Sequence, residues 1–207
     1  MDQLTATDAK VYVVDDNPAV RDAIRWLVEE VGLTAEVCAT AQEFVNKFDA
    51  EAIGCVVLDI RMPGMGGLEL QDYLLNNNIS IPVIIVTGHG DVPMAVRSMK
   101  NGAFDFLQKP FNDQTLLDTI FLAIKRHQSI VVANRQRLEI CQNLASLTPR
   151  EEQVLTMLRA GQSNREIAEC LHISVRTVEG HRAKIMDKMN SHSVAELLEY
   201  AHIAEST

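Results

Sequence analysis

Five side chains with the chemistry to handle a phosphoryl group each follow a short apolar stretch of the chain. They are the carboxylates of Asp15, Asp16 and Asp59, the hydroxyl of Thr87 and the ammonium of Lys109. Three carboxylates in one place repel one another unless a cation neutralises them, and their oxygens suit Mg²⁺. One carboxylate can then attack phosphorus while the metal and the ammonium absorb the developing charge.

The apolar stretches before these side chains are typical of strands that are buried on both faces of a parallel sheet. They are short, rich in Val and Ile and continuous, as in Val11–Val14, Cys55–Leu58 and Val83–Val86. Leu33–Cys38 and Phe104–Gln108 are predicted as the second and fifth strands, and segments with helical spacing separate all five. The pattern predicts a doubly wound, five-stranded parallel α/β domain with its site beyond the carboxyl ends of the strands.

In such a sheet the five polar side chains meet at one rim. Taken singly, an Asp at a strand end is more often a helix or turn cap, and a lone Lys usually points into water. Their coincidence at the ends of strands one, three, four and five is hard to explain as structure alone.

The chain has neither Gly nor Pro between Phe111 and Thr148. Apolar residues recur there at helical spacing, so we expect the last helix of the first domain to continue through the linker. The alternative is a short helix followed by a mobile tether. We place the α/β domain at residues 1–125, a helical linker at 126–146 and a small all-α domain at 147–207.

The all-α domain has the pattern of a helix-turn-helix. Ser163 with Glu166 caps one helix, the tripeptide His172–Ser174 forms a turn, and Val175–Met189 is the next helix. Val175, Val178, Ile185 and Met189 form the predicted inward stripe of that helix.

The predicted second helix could lie in the major groove of DNA. Residues 176–188 carry four Lys or Arg and two acidic residues, whereas the whole chain has a net charge of −9. Any DNA binding must therefore be local rather than driven by bulk charge. The alternative is a solvated amphipathic helix in a small bundle. Phosphate contacts are expected from Arg176, Arg182, Lys184 and Lys188, and base contacts from Thr177, Glu179, Gly180 and Ala183.

Composition excludes several other classes of protein. With 47% hydrophobic and 23% charged residues, the chain is typical of a globular protein rather than a disordered one. Its longest apolar stretch, Ile81–Val86, is far shorter than the about 20 residues that span a bilayer. The N-terminus lacks the apolar segment of a signal peptide. We therefore expect a cytoplasmic protein that does not contact membranes.

The first domain resembles the receiver domains of two-component response regulators over about residues 9–127. The resemblance rests on the stretches Val13–Asp16, Leu58–Met65, Val86–Gly90 and Phe106–Phe111. It implies a flavodoxin-like fold in which a sensor histidine kinase phosphorylates Asp59.

The resemblance also implies how the phosphoryl group is held. Asp16, Asp59 and the backbone carbonyl of Arg61 would hold Mg²⁺, and Asp15 would act on it mainly through water. Lys109 would pair with the phosphoryl group, and the Lys109–Pro110 peptide bond would be cis.

Two further positions are implied to act in the switch. Thr87 would move toward the phosphoryl group and Phe106 would turn inward in response. Phe106 lacks the hydroxyl of the Tyr that is common at this position, so no hydrogen bond can report the switch. The small residue Gly88 would leave the pocket open to the kinase.

The second domain resembles the LuxR-type helix-turn-helix of FixJ- and NarL-like regulators over about residues 147–203. The matching stretches are Leu147–Leu155, Ser163–Ala168 and Val175–Arg182. Glu179 and Gly180 replace bulkier or basic residues of some members, so base preference cannot be carried over. Together the resemblances imply a FixJ/NarL-type regulator that dimerises when phosphorylated, binds near-palindromic duplex DNA and acts on RNA polymerase.

Other classes of function fit part of the pattern. A Mg²⁺-dependent phosphatase with an aspartyl-phosphate intermediate needs a second acid, often two residues after the nucleophile, where this chain has Arg61. The chain contains no GxxxxGK[ST] loop, so an ATPase is disfavoured. A binder that works without phosphorylation has no need of the five-residue set. We therefore predict a transcription regulator rather than an enzyme.

Overall fold

The computed structural model describes residues 9–88 and 92–205. Its first part is a parallel sheet with the strand order β2-β1-β3-β4-β5. The strands are β1 (Lys10–Val14), β2 (Thr34–Cys38), β3 (Gly54–Leu58), β4 (Val83–Thr87) and β5 (Asp105–Gln108). The helices between and after them are α1 (Pro18–Glu30), α2 (Ala41–Lys47), α3 (Gly67–Asn76), α4 (Val92–Lys100) and α5 (Asp113–Ala145). The predicted doubly wound α/β fold is confirmed.

The central strands are buried on both faces because successive side chains point to opposite sides of the sheet. In β1, Val11 and Val13 join a core cluster with Leu27 of α1 and Ile120 of α5. Tyr12 and Val14 join a cluster on the other face, with residues of α2 and α3. A continuous apolar run is therefore the correct signal for this type of strand.

Strand pairing brings the ends of β1 and β3 to the same level. Val14 lies opposite Leu58 in the parallel register, so the residues that follow them are neighbours. At the other side of β3, β4 pairs with β5, and Thr87 lies opposite Gln108. The register thus gathers the strand-end residues at one edge of the sheet.

Helix α5 is longer than the sheet needs. It runs for 33 residues without a break, as expected if the last helix of the first domain continues through the linker. Its early residues Leu116 and Ile120 are fully buried, whereas Leu138 is 60% exposed. The described residues form two compact units that divide between Val131 and Val132 within this helix. The predicted limits of the domains and linker stay predictions.

The second unit contains the helices α6 (Pro149–Arg159), α7 (Asn164–Leu171), α8 (Val175–Lys188) and α9 (Val194–Glu205). The Ser163 side chain accepts from the Glu166 backbone N–H, and Glu166 reaches back to the Ser163 N–H, as a capping box should. His172 ends α7 in the left-handed conformation, with a φ of 52°. The turn His172–Ser174 therefore separates α7 from α8 as predicted. No helix in the described ranges is long and apolar enough to cross a membrane.

Candidate functional site

Lys109 bridges two carboxylates that come from different strands. Its Nζ lies 2.5 Å from Asp15 Oδ2 and 2.9 Å from Asp59 Oδ1. Both carboxylate residues are buried, with 3% of Asp15 and 8% of Asp59 exposed. Burial acts to lower the pKa of Lys109, but the hydrogen bonds to the two carboxylates outweigh it, so the pKa is raised. Lys109 therefore remains an ammonium at neutral pH.

The backbone around Asp59 fixes its carboxylate in place. The Asp59 N–H donates to the Val14 carbonyl, and Asp59 Oδ2 accepts from the Arg61 N–H at 2.6 Å. Helix α3 begins close to this loop, since a Cβ added to Gly67 would lie 2.2 Å from the Asp59 carbonyl oxygen. Any side chain at Gly67 would therefore displace either α3 or the Asp59 backbone. Gly67 was not among the residues predicted for the site.

Asp15 is held by Arg21, which was also not among the predicted site residues. Arg21 Nη1 donates to the Asp15 carbonyl oxygen at 2.6 Å, and the Asn17 N–H donates to Asp15 Oδ1 at 2.9 Å. Arg21 is therefore a positioning residue for the loop after β1. Helical spacing in α1 does not distinguish it from Arg25, which pairs with Asp22 at the surface.

The predicted switch residues lie along β4 and β5. Thr87 is 1% exposed, and its carbonyl accepts from the Lys109 N–H. Phe106 is half-buried and packs against the core cluster that contains Tyr12. The Lys109–Pro110 peptide bond is cis, as the resemblance implied. Among the described residues, a Cβ on Gly88 would come within 4 Å only of Lys109 Cβ, at 4.0 Å.

The residues fit Mg²⁺ in type, and only in part in arrangement. Asp15 and Asp59 already share one cation, the Lys109 ammonium, and their two carboxylates carry more charge than it neutralises. Asp16 is exposed, and no group of three His, Cys, Asp or Glu within the described residues is arranged to hold a metal. A third carboxylate therefore requires Asp16 to turn inward. The predicted ligands, including the Arg61 carbonyl, stay predictions.

Helix α8 presents most of the predicted DNA contacts to solvent. Its core side is formed by Val178 and Ile185, which are fully buried, whereas Val175 is 41% exposed. The prediction that Val175 belongs to the inward stripe is therefore wrong, because it is the first residue of the helix. Met189 is buried but caps α8 rather than continuing it. The exposed predicted contacts are Arg176, Thr177, Glu179, Gly180, Ala183 and Lys184.

Two of the predicted phosphate contacts have partners inside the domain. Arg182 is half-buried and donates to Asn164 Oδ1 on α7. Lys188 donates to the Ser146 carbonyl at 2.9 Å and to Glu151 Oε2 at 2.8 Å. Contacts of Arg182 and Lys188 with phosphates stay predictions. In the structure both side chains connect α8 to another helix, Arg182 to α7 and Lys188 to α6.

The Lys188–Glu151 pair makes the stability of the second unit depend on pH in the acidic range. The hydrogen bond from Lys188, with that from the Thr148 N–H, lowers the pKa of Glu151 to about 2. Because this lies below the unfolded-state value of 4.5, ionised Glu151 stabilises the domain above about pH 4.5. That contribution disappears as the pH falls from 4.5 to about 2.

We expect Lys188→Met to destabilise the second unit by about 2 kcal/mol, since it leaves buried Glu151 without its cation. Hydrogen exchange at neutral pH in peptides from α6 and α8 should then be roughly 30-fold faster, because it reports on this unit alone. Lys184→Met, at an exposed position of the same helix, serves as control and should leave exchange unchanged. Equal exchange in both variants would show that the pair contributes nothing.

The two parts of the chain match two different protein families. Residues 11–121 match the family described as response regulator receiver domain, and residues 145–201 match bacterial regulatory proteins of the luxR family. The chain is 42% identical over 195 residues to transcriptional regulatory protein FixJ of Bradyrhizobium diazoefficiens, across 94% of this chain and 95% of that protein.

Response regulator protein TodT of Pseudomonas putida is 41% identical, across 91% of this chain and 83% of that protein. The solved structure of response regulator StyR is 41% identical, with a TM-score of 0.87 over 94% of this chain and 98% of that chain. The chain belongs to the response regulators.

This response regulator consists of a receiver domain and a LuxR-type DNA-binding domain, so the family inferred from the sequence is confirmed. FixJ, to which the chain is similar over most of its length, is a transcriptional regulatory protein. The structure brings together Asp15, Asp59, Thr87 and Lys109 at one edge of the sheet and leaves Asp16 at the surface. The roles of individual residues in phosphorylation and DNA contact stay predictions.

Proposed function

We propose that a sensor histidine kinase transfers a phosphoryl group to Asp59. The observation that carries the proposal is the buried Asp59 carboxylate at the end of β3, with Oδ1 2.9 Å from the Lys109 ammonium. An Asp59 oxygen attacks phosphorus while the bond from phosphorus to the kinase histidine nitrogen breaks, and that nitrogen keeps the electron pair. Lys109 is placed to pair with the transferred group, and Gly88, which has no side chain, leaves room for the kinase.

We further propose that Asp15, Asp16, Asp59 and the Arg61 carbonyl hold Mg²⁺. When bound, Mg²⁺ would neutralise the excess of carboxylate charge and the charge on the phosphoryl oxygens. The protein's own contribution is position: Arg21 and Asn17 hold Asp15, and the backbone N–H of Arg61 orients Asp59.

Arg61 argues for a regulator rather than a phosphatase. A phosphatase of this type needs an acid near the aspartyl-phosphate to activate water. The side chain two residues after Asp59 is Arg61, which is exposed, and its backbone N–H is what contacts Asp59. The site therefore favours receipt of a phosphoryl group over its rapid hydrolysis.

The signal is proposed to leave the site through Thr87 and Phe106. Thr87 is buried beside Lys109, to whose backbone N–H its carbonyl is bonded, and Phe106 lies on the neighbouring strand β5. Movement of Thr87 toward the phosphoryl group and of Phe106 into the core would alter the surface formed by α4, β5 and α5.

Phosphorylation is expected to drive dimerisation through that surface, about residues 92–126. Val96 and Met99 of α4 are 47% and 46% exposed, and Leu122 of α5 is 60% exposed. Burial of such side chains against a second copy removes apolar surface from water. Sedimentation of the phosphorylated protein at tens of micromolar should give a dimer, and Val96→Ser should weaken dimerisation about tenfold.

Val31→Ser is the matched control, because Val31 is 39% exposed at the end of α1 and is not among residues 92–126. It should leave dimerisation unchanged. A phosphorylated protein that stays monomeric, or equal effects of the two serines, would contradict the assignment of the surface.

The dimer is proposed to bind a near-palindromic site in duplex DNA through two α8 helices and to act on RNA polymerase in the cytoplasm. The exposed Arg176 and Lys184 on α8 support this. The test is footprinting of the full chain across genomic DNA, with and without acetyl phosphate and Mg²⁺. We expect protected sites with paired half-sites about 10 bp apart that strengthen on phosphorylation. Sites that are the same in both conditions would overturn the proposed coupling.

A further inference from the structure

A cavity of about 290 Å³ lies at the amino ends of β4 and β5, at the opposite edge of the sheet from Asp59. Its walls are mainly apolar and come from α3, the segment before β4, the segment before β5 and α5. Leu74, Ile79, Phe104 and Ile130 are among them. The volume is near the lower limit of ordinary small-molecule sites, so it suits a ligand with a single ring or a short branched chain.

Gln71 lines this cavity and has a buried side-chain oxygen that lacks a hydrogen-bond donor within the described residues. The residue is 3% exposed, and its Nε2 donates to the Ser98 carbonyl of α4 at 2.8 Å. Its Oε1 is also buried, and no residue in the described part of the chain donates to it. A buried amide oxygen without a donor costs free energy, so a donor from outside the chain that reaches Oε1 through a small shift of the surrounding side chains would be bound favourably here.

Arg126 supplies a cation to the same cavity. It lies on α5, is exposed, and is the only Lys or Arg among the described residues that line the cavity. The ion pairs found within the described residues do not include Arg126. An arginine at the mouth of an apolar cavity can bind a carboxylate with two parallel hydrogen bonds.

We infer that this cavity binds a small organic acid with an apolar body and a hydrogen-bond donor. The carboxylate pairs with Arg126, the body packs against the apolar walls, and a hydroxyl or amine donates to Gln71 Oε1. A water molecule could satisfy Gln71, but it would use neither Arg126 nor the apolar walls. Because the site is at the other edge of the sheet from Asp59, the ligand does not compete with phosphoryl transfer.

The probe for the test is 4-hydroxyphenylacetate, which carries all three groups. Titration into the ¹⁵N-labelled full chain should give saturable shifts in Gln71, Phe104 and Arg126, with a dissociation constant of about 1 mM, ordinary for a ligand of this size. Phenylacetate, which lacks the hydroxyl, and 4-methylphenol, which lacks the carboxylate, should each bind at least about fivefold more weakly.

Arg126→Met should weaken binding of the probe about tenfold, whereas Lys125→Met should not change it. Lys125 is the exposed neighbour of Arg126 on α5 and does not line the cavity. Gln71→Met should also weaken binding. If Gln71→Met folds poorly, the substitution at exposed Arg126 still tests the site. Equal losses from Arg126→Met and Lys125→Met, shifts centred on Asp59, or no saturable shift would overturn the inference. The last result would assign the cavity to water alone.

Discussion

Asp59→Asn should abolish phosphorylation of the full-length protein, with the rate falling at least about 100-fold because an amide cannot replace the carboxylate as nucleophile. Intact-mass measurement after treatment with acetyl phosphate and Mg²⁺ should show one labile phosphoryl group on the wild type and none on the variant. The fold should survive the change. Lys109 then keeps one buried carboxylate, Asp15, as its partner, and the excess negative charge at the site is removed.

Asp22→Asn is a suitable control, since Asp22 is an exposed carboxylate on α1 whose partner is Arg25. That variant should be labelled as fast as the wild type. Labelling of Asp59→Asn to the wild-type extent would mean that another carboxylate, with Asp16 the nearest exposed candidate, accepts the phosphoryl group.

The sheet could be predicted well because each of its central strands is marked by a local pattern in the sequence. A strand buried on both faces needs apolar residues at every position, and this requirement is visible in the sequence of β1, β3 and β4. The predicted second and fifth strands each began one residue early, at Leu33 and Phe104. Both positions carry apolar side chains that pack on the core just before the strand begins.

The members of the site could be predicted, but their contacts could not. Parallel strand ends meet at one edge, so Asp15, Asp59 and Lys109 had to be close. Which carboxylate the ammonium would contact depends on side-chain directions that the sequence does not encode locally. Asp16 follows Asp15 by one residue and therefore points away, which leaves it exposed.

Residues that act through the backbone were the ones missed. Arg21 donates to the Asp15 carbonyl, and Gly67 allows α3 to approach the Asp59 carbonyl. Neither effect leaves a periodic pattern, because every residue has a carbonyl and a glycine can mark many kinds of turn. The same reasoning applies to Lys188, whose charge suggests a phosphate contact although its nearest partner is Glu151, 37 positions earlier in the chain.

The exposed face of α8 leads to the other large expected effect, on DNA binding by the phosphorylated full chain. Lys184→Ala should weaken binding to a specific duplex and to a scrambled one by a similar factor. It should also lower the salt slope by about one, as the loss of one phosphate contact requires. Glu179→Ala should change which bases are preferred, because a carboxylate at a base-facing position can accept from cytosine N4. A good base contact is worth about 1–3 kcal/mol, so that discrimination should change by roughly tenfold or more.

Titration of both variants against the wild type on the two duplexes, at several salt concentrations, measures these effects. Arg135→Ala is the control for a change of charge alone, because Arg135 is exposed on α5 outside α8. It should leave both the affinity and the salt slope unchanged. The contrast with Lys188 sharpens the test, since Lys188 is held by Glu151 and its removal would act on binding by destabilising the domain. If Lys184→Ala and Glu179→Ala both bind like the wild type while hydrogen exchange shows an intact second unit, α8 is not the helix that contacts DNA.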